Sequence, residues 1–159
     1  MWRKPRLTAD GNKVIPYGKT EADAITIRNK GNMDADGYVT AKNGQRLKYD
    51  EDGFPIYESK YDMHVSDDLI GNRSPDSHFR AANESLSNKL RDNPNLAREM
   101  GLSNEQVNHI IMKIPPSNES PRGLTWHHHQ DLGKMQLVDR EIHGTFKHTG
   151  GMSIWGGGY

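Results

Sequence analysis

The sequence predicts an α+β fold, with an N-terminal β-hairpin and a helical region followed by a C-terminal strand–turn–strand–helix unit. Three observations predict it. Alternating runs around Asn43-Gly44 mark a pair of strands. Apolar residues at three- and four-residue spacing, from Phe79 onward, mark amphipathic helices. The third is a histidine cluster, His127-His128-His129 followed by His143 and His148, which holds five of the eight histidines. In a chain with no cysteine, such a cluster suggests a metal site built from imidazole, carboxylate or amide ligands. The run is internal and embedded in a patterned segment, unlike a purification tag.

A length of 159 residues fits one domain with a small N-terminal appendage. A hydrophobic fraction of 33% and a mean hydropathy of −0.92 allow only a small core. Sixteen glycines and eight prolines require many turns. No apolar run approaches the roughly 18 residues of a membrane helix, and no secretory leader is evident. The net charge is zero and the pI is near 7.1, so whole-molecule attraction to nucleic acid is not expected. Residues 1–20 carry Arg3, Lys4, Arg6, Lys13 and Lys19 against Asp10 alone, a basic arm. The acidic middle of the chain reads as solvated surface, with a basic partner as the alternative.

Residues 1–36 have no sustained period and read as an extended arm, with a strand or two near Ala24-Ile25-Thr26-Ile27. From Gly37 to Val65 the pattern is β. Tyr38-Val39-Thr40 and Gln45 to Tyr49 flank the Asn43-Gly44 hairpin, and Asp52-Gly53 makes a second turn before Phe54 to Tyr57. Asp50, Glu51 and Asp52 lack the spacing of a calcium loop and read as an acidic turn. Ser74 and Pro75 then start a helix carrying Phe79, Ala82, Leu86 and Leu90, which Pro94 stops. A shorter helix covers Leu96 to Met100. Ser103 and Gln106 form a capping box for a third, expected to bury Val107, Ile110, Ile111 and Ile114. His64, His78 and His109 read as ordinary surface or core histidines.

Leu124-Thr125-Trp126 favours a strand, with Trp126 as packing. Strand alternation sends His127 and His128 to opposite faces, so that one can hold a metal while the other handles a proton. His129 is read as a bystander. Asp131 to Lys134 forms a turn, Met135 to Val138 a second strand, and Asp139 the N-cap of a helix carrying His143. Trp155 and its glycines leave two readings open, a closing loop or a tail.

This order of elements resembles the ββα-metal core of the HNH endonuclease superfamily. Thr125-Trp126-His127-His128-His129, Met135-Gln136-Leu137-Val138, His143 and His148-Thr149-Gly150-Gly151 are similar to the WHH branch, the toxin nucleases of colicin-like and polymorphic toxin systems. The resemblance implies a nuclease domain over 37–159, with the ββα-metal motif at about 122–151, behind the arm of residues 1–36. It implies His127, His143 and His148 as ligands of one divalent metal ion (Mg, Mn, Ni or Zn). His128 is implied as general base, with Gln136 supporting it where the superfamily has an asparagine. His143 and His148, five residues apart, sit about 140° apart on a regular helix. They share a metal only if the helix ends between them. Arg122, Lys134, Arg140 and Lys147 are candidates for substrate phosphates.

The implied function is a largely non-specific, metal-dependent DNase. It would be the C-terminal toxin module of a secreted or contact-delivered bacterial effector, acting in the target-cell cytoplasm and paired with an immunity protein. The alternatives are an RNase or tRNase toxin of the same fold, and a non-catalytic binding module around a structural metal.

Overall fold

The computed structural model describes residues 4–71 and 74–158, so Arg3 of the basic arm lies outside the described residues. Glycine-punctuated segments form short strands here because few residues separate one turn from the next. The first antiparallel sheet joins β1 (Arg6–Leu7), β2 (Lys13–Ile15) and β3 (Ile25–Thr26). Val14 and Ile27 are buried in the same core as Leu86, Trp126 and Leu137. The N-terminal segment is thereby packed against the elements that carry the histidines.

Strands β4 (Tyr38–Thr40) and β5 (Arg46–Lys48) pair as the Asn43-Gly44 signal requires, with Gly44 at φ +89°. The Asp50 carboxylate accepts from the backbone N–H groups of Asp52 and Phe54, each at 3.0 Å. It is occupied by the acidic turn itself. The expected strand over Phe54–Tyr57 is reduced to an isolated bridge between Tyr49 and Pro55. Proline has no N–H to extend the ladder.

The sheet that carries the site has the order β6-β8-β7, built from β6 (Tyr61–His64), β7 (Leu124–His128) and β8 (Lys134–Asp139). The C-terminal hairpin thus takes its third strand from some sixty residues upstream, which local periodicity does not reveal. Helix α1 (Pro75–Asp92) covers one face with His78, Ala82, Leu86 and Leu90 buried. It is followed by α2 (Leu96–Glu99) and α3 (Asn104–Ile111). The capping box holds, with the Gln106 N–H donating to Ser103 Oγ at 3.1 Å and the Ser103 N–H to Gln106 Oε1 at 2.9 Å. Of the expected apolar face of α3, Ile110 is buried but Ile114 is 79% exposed. The helix ends at Ile111, and Ile114, which precedes Pro115 and so avoids the helical region, falls outside its register.

One buried amide ties the sheet to the loop before it. Asn83 on α1 donates to the carbonyls of Ser117 and Glu119, both at 2.8 Å, and accepts from Trp126 Nε1 at 2.7 Å. Asn83→Ala would leave the Ser117 carbonyl and the Trp126 indole N–H without partners, while the Glu119 carbonyl keeps its bond from His109, and each stranded group costs about 1–3 kcal/mol. Urea denaturation is expected to show a loss of about 3 kcal/mol or more. A loss under 1 kcal/mol would mean that solvent reaches these groups.

Asp139 caps α4 (Arg140–Thr145), its carboxylate accepting from the Ile142 N–H at 2.9 Å. A final turn, α5 (Gly151–Ile154), has no counterpart in the sequence reading. It buries Trp155, whose indole N–H donates to the His129 carbonyl at 2.7 Å. Of the two readings for this segment, packing replaces the tail. Among the described residues no helix is long and apolar enough to cross a membrane.

Candidate active site

The register of the central hairpin sets the directions of the histidines. His127 pairs with Gln136 and His128 with Met135. Neighbours along a strand face opposite ways. His127 meets His143 of α4, whereas His128 meets His78 and Phe79 of α1. Since β7 is an edge strand, both faces open on one cleft of about 1010 Å³, lined by His127, His128, His143, His148 and Trp155.

Helix α4 ends at Thr145 and its C-cap, Phe146, is extended, so the chain turns before His148. That break removes the 140° conflict. One nitrogen each from His127, His143 and His148 lies within 4.8 Å of the others. His127 Nδ1 and His143 Nε2 are 3.1 Å apart. Ligand nitrogens at about 2.0–2.1 Å from a tetrahedral ion stand about 3.3 Å from one another, so modest adjustment would seat one. His148 Nδ1 donates to the Phe146 carbonyl at 2.8 Å, which places its proton there and leaves Nε2 bare for a ligand bond. Tyr57 packs edge-on against His127 and His148, with centroids at 4.9 and 5.7 Å, and its hydroxyl lies 3.2 Å from His148 Nδ1. Among the described residues, His127 Nε2 is the buried side-chain polar atom without a hydrogen-bond partner. That atom lies across the ring from the Nδ1 that faces His143, and it is the gathering of three largely buried imidazoles at this spacing that fits a metal-ligand set better than a packing role.

His128 Nε2 is 3.1 Å from His78 Nδ1, and His78 Nε2 donates to the Leu69 carbonyl at 2.8 Å. His78, read from sequence as an ordinary histidine, is fully buried and belongs to the site. Its position fifty residues from His128, on another element, left no local signal. His129 is turned away, its Nδ1 accepting from the Asp131 N–H at 2.9 Å. Gln136 faces the same side as His127, and its amide donates to Asp62 Oδ1 at 3.3 Å.

None of the four cations nominated from sequence lines the cleft. Arg122 pairs with Glu105 at 3.4 Å, Arg140 donates to the Leu124 carbonyl at 3.1 Å, and Lys134 lies 3.8 Å from Asp62. Lys147 is exposed next to His148. Among the described residues, the cations that do line the cleft are Lys19 and Arg28, from the N-terminal segment. The segment is fixed there by Thr149, whose hydroxyl accepts from the Arg28 N–H at 2.9 Å and donates to the Thr26 carbonyl at 2.6 Å.

Burial depresses the histidine pKa values, and neighbouring imidazoles add to it at His127, His128 and His143. His143 is pushed down to about 4 by burial and then by His148, and His128 to about 3 by burial and then by His78. His127 is held well below its ordinary value by burial, then His148 and His143, and His148 is lowered by burial against an opposing hydrogen bond to Phe146. All four are therefore neutral at pH 7, the form that binds a metal or accepts a proton. The unfolded chain takes up these protons near 6.5 and the folded chain only at much lower pH, so stability is complete above about 6.5 and falls as pH drops toward 4. Melts of the protein in chelator between pH 8 and 4 are expected to show the midpoint dropping across that window. A flat profile from pH 7 to 4 would count against neutral burial.

A β-hairpin feeds a helix here, and imidazoles from both gather in an open cleft at a spacing that could hold a metal ion. The family model for the DNase/tRNase domain of colicin-like bacteriocin matches residues 47–150. The match covers well over half of the chain, and the protein belongs to this family, as a nuclease toxin of the colicin-like kind. The resemblance to toxin nucleases expected from the histidine motif is met. No curated protein matches the chain.

Proposed function

We propose that the protein is a metal-dependent endonuclease that hydrolyses DNA with little sequence preference, as the toxic module of a bacterial effector. The observation that carries this reading is the convergence of His127, His143 and His148 on one point of the cleft into which His128 also opens. Three imidazole ligands leave a coordination position open, which a structural site does not need. The same three residues would hold the divalent ion, which when bound supplies charge stabilisation at the phosphate, roughly several kcal/mol.

His128 serves as general base. It takes a proton from water, whose oxygen bonds phosphorus while the bond to the departing sugar oxygen breaks. The depressed pKa keeps its nitrogen bare at neutral pH, and an arriving phosphodiester anion raises it toward the range where a base works best. Gln136 acts from the His127 side of the sheet, where its bond to Asp62 ties β8 to β6 behind the base-bearing strand. Lys19 and Arg28 hold phosphates along the cleft, with Lys147 beside His148 and with Arg122, Lys134 and Arg140 serving more distant ones. Residues 37–159 form the nuclease unit around the ββα-metal motif at about 122–151, and residues 1–36 its basic arm. An immunity protein covers the cleft in the producing cell, and the toxin acts in the cytoplasm of the target.

The test is incubation with plasmid and Mg²⁺, Mn²⁺, Ni²⁺ or Zn²⁺, with and without chelator. Nicking that depends on one of these ions is expected, and intact plasmid throughout would overturn the DNase reading. Because the family description includes tRNases, total tRNA belongs in the same assay, and cleavage confined to tRNA would move the substrate to RNA. Arg28→Ala is expected to raise KM about tenfold with kcat little changed, the worth of one charge-assisted contact. An unchanged KM would remove Arg28 from the phosphate path.

A further inference from the structure

The contact between His78 and His128 fixes more than the orientation of a ring. A carbonyl oxygen only accepts, so the 2.8 Å bond to Leu69 places a proton on His78 Nε2. His78 is fully buried, and among the described residues its polar contacts are that carbonyl and His128. With the ring proton committed to Nε2 by the Leu69 carbonyl, the Nδ1 that faces His128 is the accepting atom of this tautomer. That Nδ1 is 3.1 Å from His128 Nε2, which must therefore carry a proton and donate it. A neutral His128 with its proton on Nε2 has a bare Nδ1. The Leu69 carbonyl thus dictates the tautomers of two histidines in series.

We propose that His78 is a positioning residue for the nuclease reaction, holding His128 in the tautomer whose Nδ1 is the proton-accepting atom. When Nδ1 takes the proton of the attacking water, Nε2 keeps its own and its bond to His78 Nδ1 becomes charge-assisted. No proton moves between the two rings. The Leu69 carbonyl polarises His78 toward the developing imidazolium, as a carboxylate does in hydrolase triads. Both rings also lie against Trp155, with centroids at 5.3 and 5.4 Å, which limits rotation away from this geometry. The inference rests on His128 being the base.

Two variants and one spectrum test it on the full chain. In His78→Phe a ring remains but both hydrogen bonds go, and kcat is expected to fall about 10- to 100-fold. KM and Zn²⁺ affinity should stay within about twofold, a split that general disruption of the site would not give. His78→Asn can present an oxygen near the position of Nδ1 and should recover part of the lost kcat. In the Zn²⁺-loaded wild type, long-range ¹H–¹⁵N correlation of the His128 ring should show a protonated Nε2 and an unprotonated Nδ1. His78→Phe should show a mixture of tautomers. A protonated Nδ1 in the wild type overturns the inference even if the variants fold poorly. Unchanged kcat in folded His78→Phe, or loss of kcat matched by loss of zinc, overturns it too. His128→Ala separates the two levels, because full activity in that variant removes the base reading itself, whatever tautomer the spectrum shows.

Discussion

His128→Ala is expected to leave the metal bound and to lower kcat by about 10²–10⁴-fold, the usual contribution of a general base. His127→Ala is expected to do the reverse, weakening metal affinity first and activity as a consequence. The contrast follows from one register, in which adjacent residues of β7 face opposite sides. His127 joins the imidazoles that follow β8, and His128 joins α1. Isothermal titration with Zn²⁺, run beside plasmid cleavage at saturating metal, separates the two effects. If His128→Ala lost the metal instead, His128 would be a ligand and the division of labour along the strand would fall.

Each half of this site is written differently in the sequence. The metal half is local. The strand propensity of Leu124-Thr125-Trp126, the N-cap at Asp139 and the glycines around His148 sit within one stretch, and they suffice to order the elements. The helix break that lets His143 and His148 approach one another was legible as a geometric requirement, and the structure meets it at Phe146. The half that supports the base is non-local. His78 is fifty residues away and lies on an apolar helix face where a core histidine is the ordinary expectation. Tyr57 follows a turn in a segment that forms no strand, so alternation does not aim it at His127 and His148. Lys19 and Arg28 come from a segment without any period, and its hydrogen bonds to Thr149, Lys147 and Ile154 bring them to the cleft. Periodicity reports which face of an element is buried. It says nothing of which other element waits there, and that is where the second half of the site was hidden.

The largest structural effect is expected at Gly151, the first residue of α5. A Cβ at this position would be driven into the His129 carbonyl oxygen and the Trp155 indole nitrogen, and would stand 2.9 Å from the carbonyl carbon of His128. Two of those three groups are backbone of the strand end that carries the site, so moving the Trp155 indole alone does not relieve the clash. The turn itself cannot retreat freely. The Ile154 carbonyl accepts from the Tyr17 N–H at 2.6 Å and the Trp155 carbonyl from the Gly71 N–H at 2.7 Å. Adding one methyl group therefore forces either α5 off its partners or His128 and His129 out of register. Gly151→Ala is expected to cost about 3 kcal/mol, at or above the upper end of ordinary overpacking, and to abolish cleavage even below its melting temperature. Gly144→Ala is the control. It lies in α4 with no atom within 4 Å of an added Cβ, and replacing a helical glycine should stabilise by up to about 1 kcal/mol. Thermal melts with plasmid cleavage on the same samples check both. A Gly151→Ala protein that is as stable and as active as the parent would show that α5 does not brace the base-bearing strand.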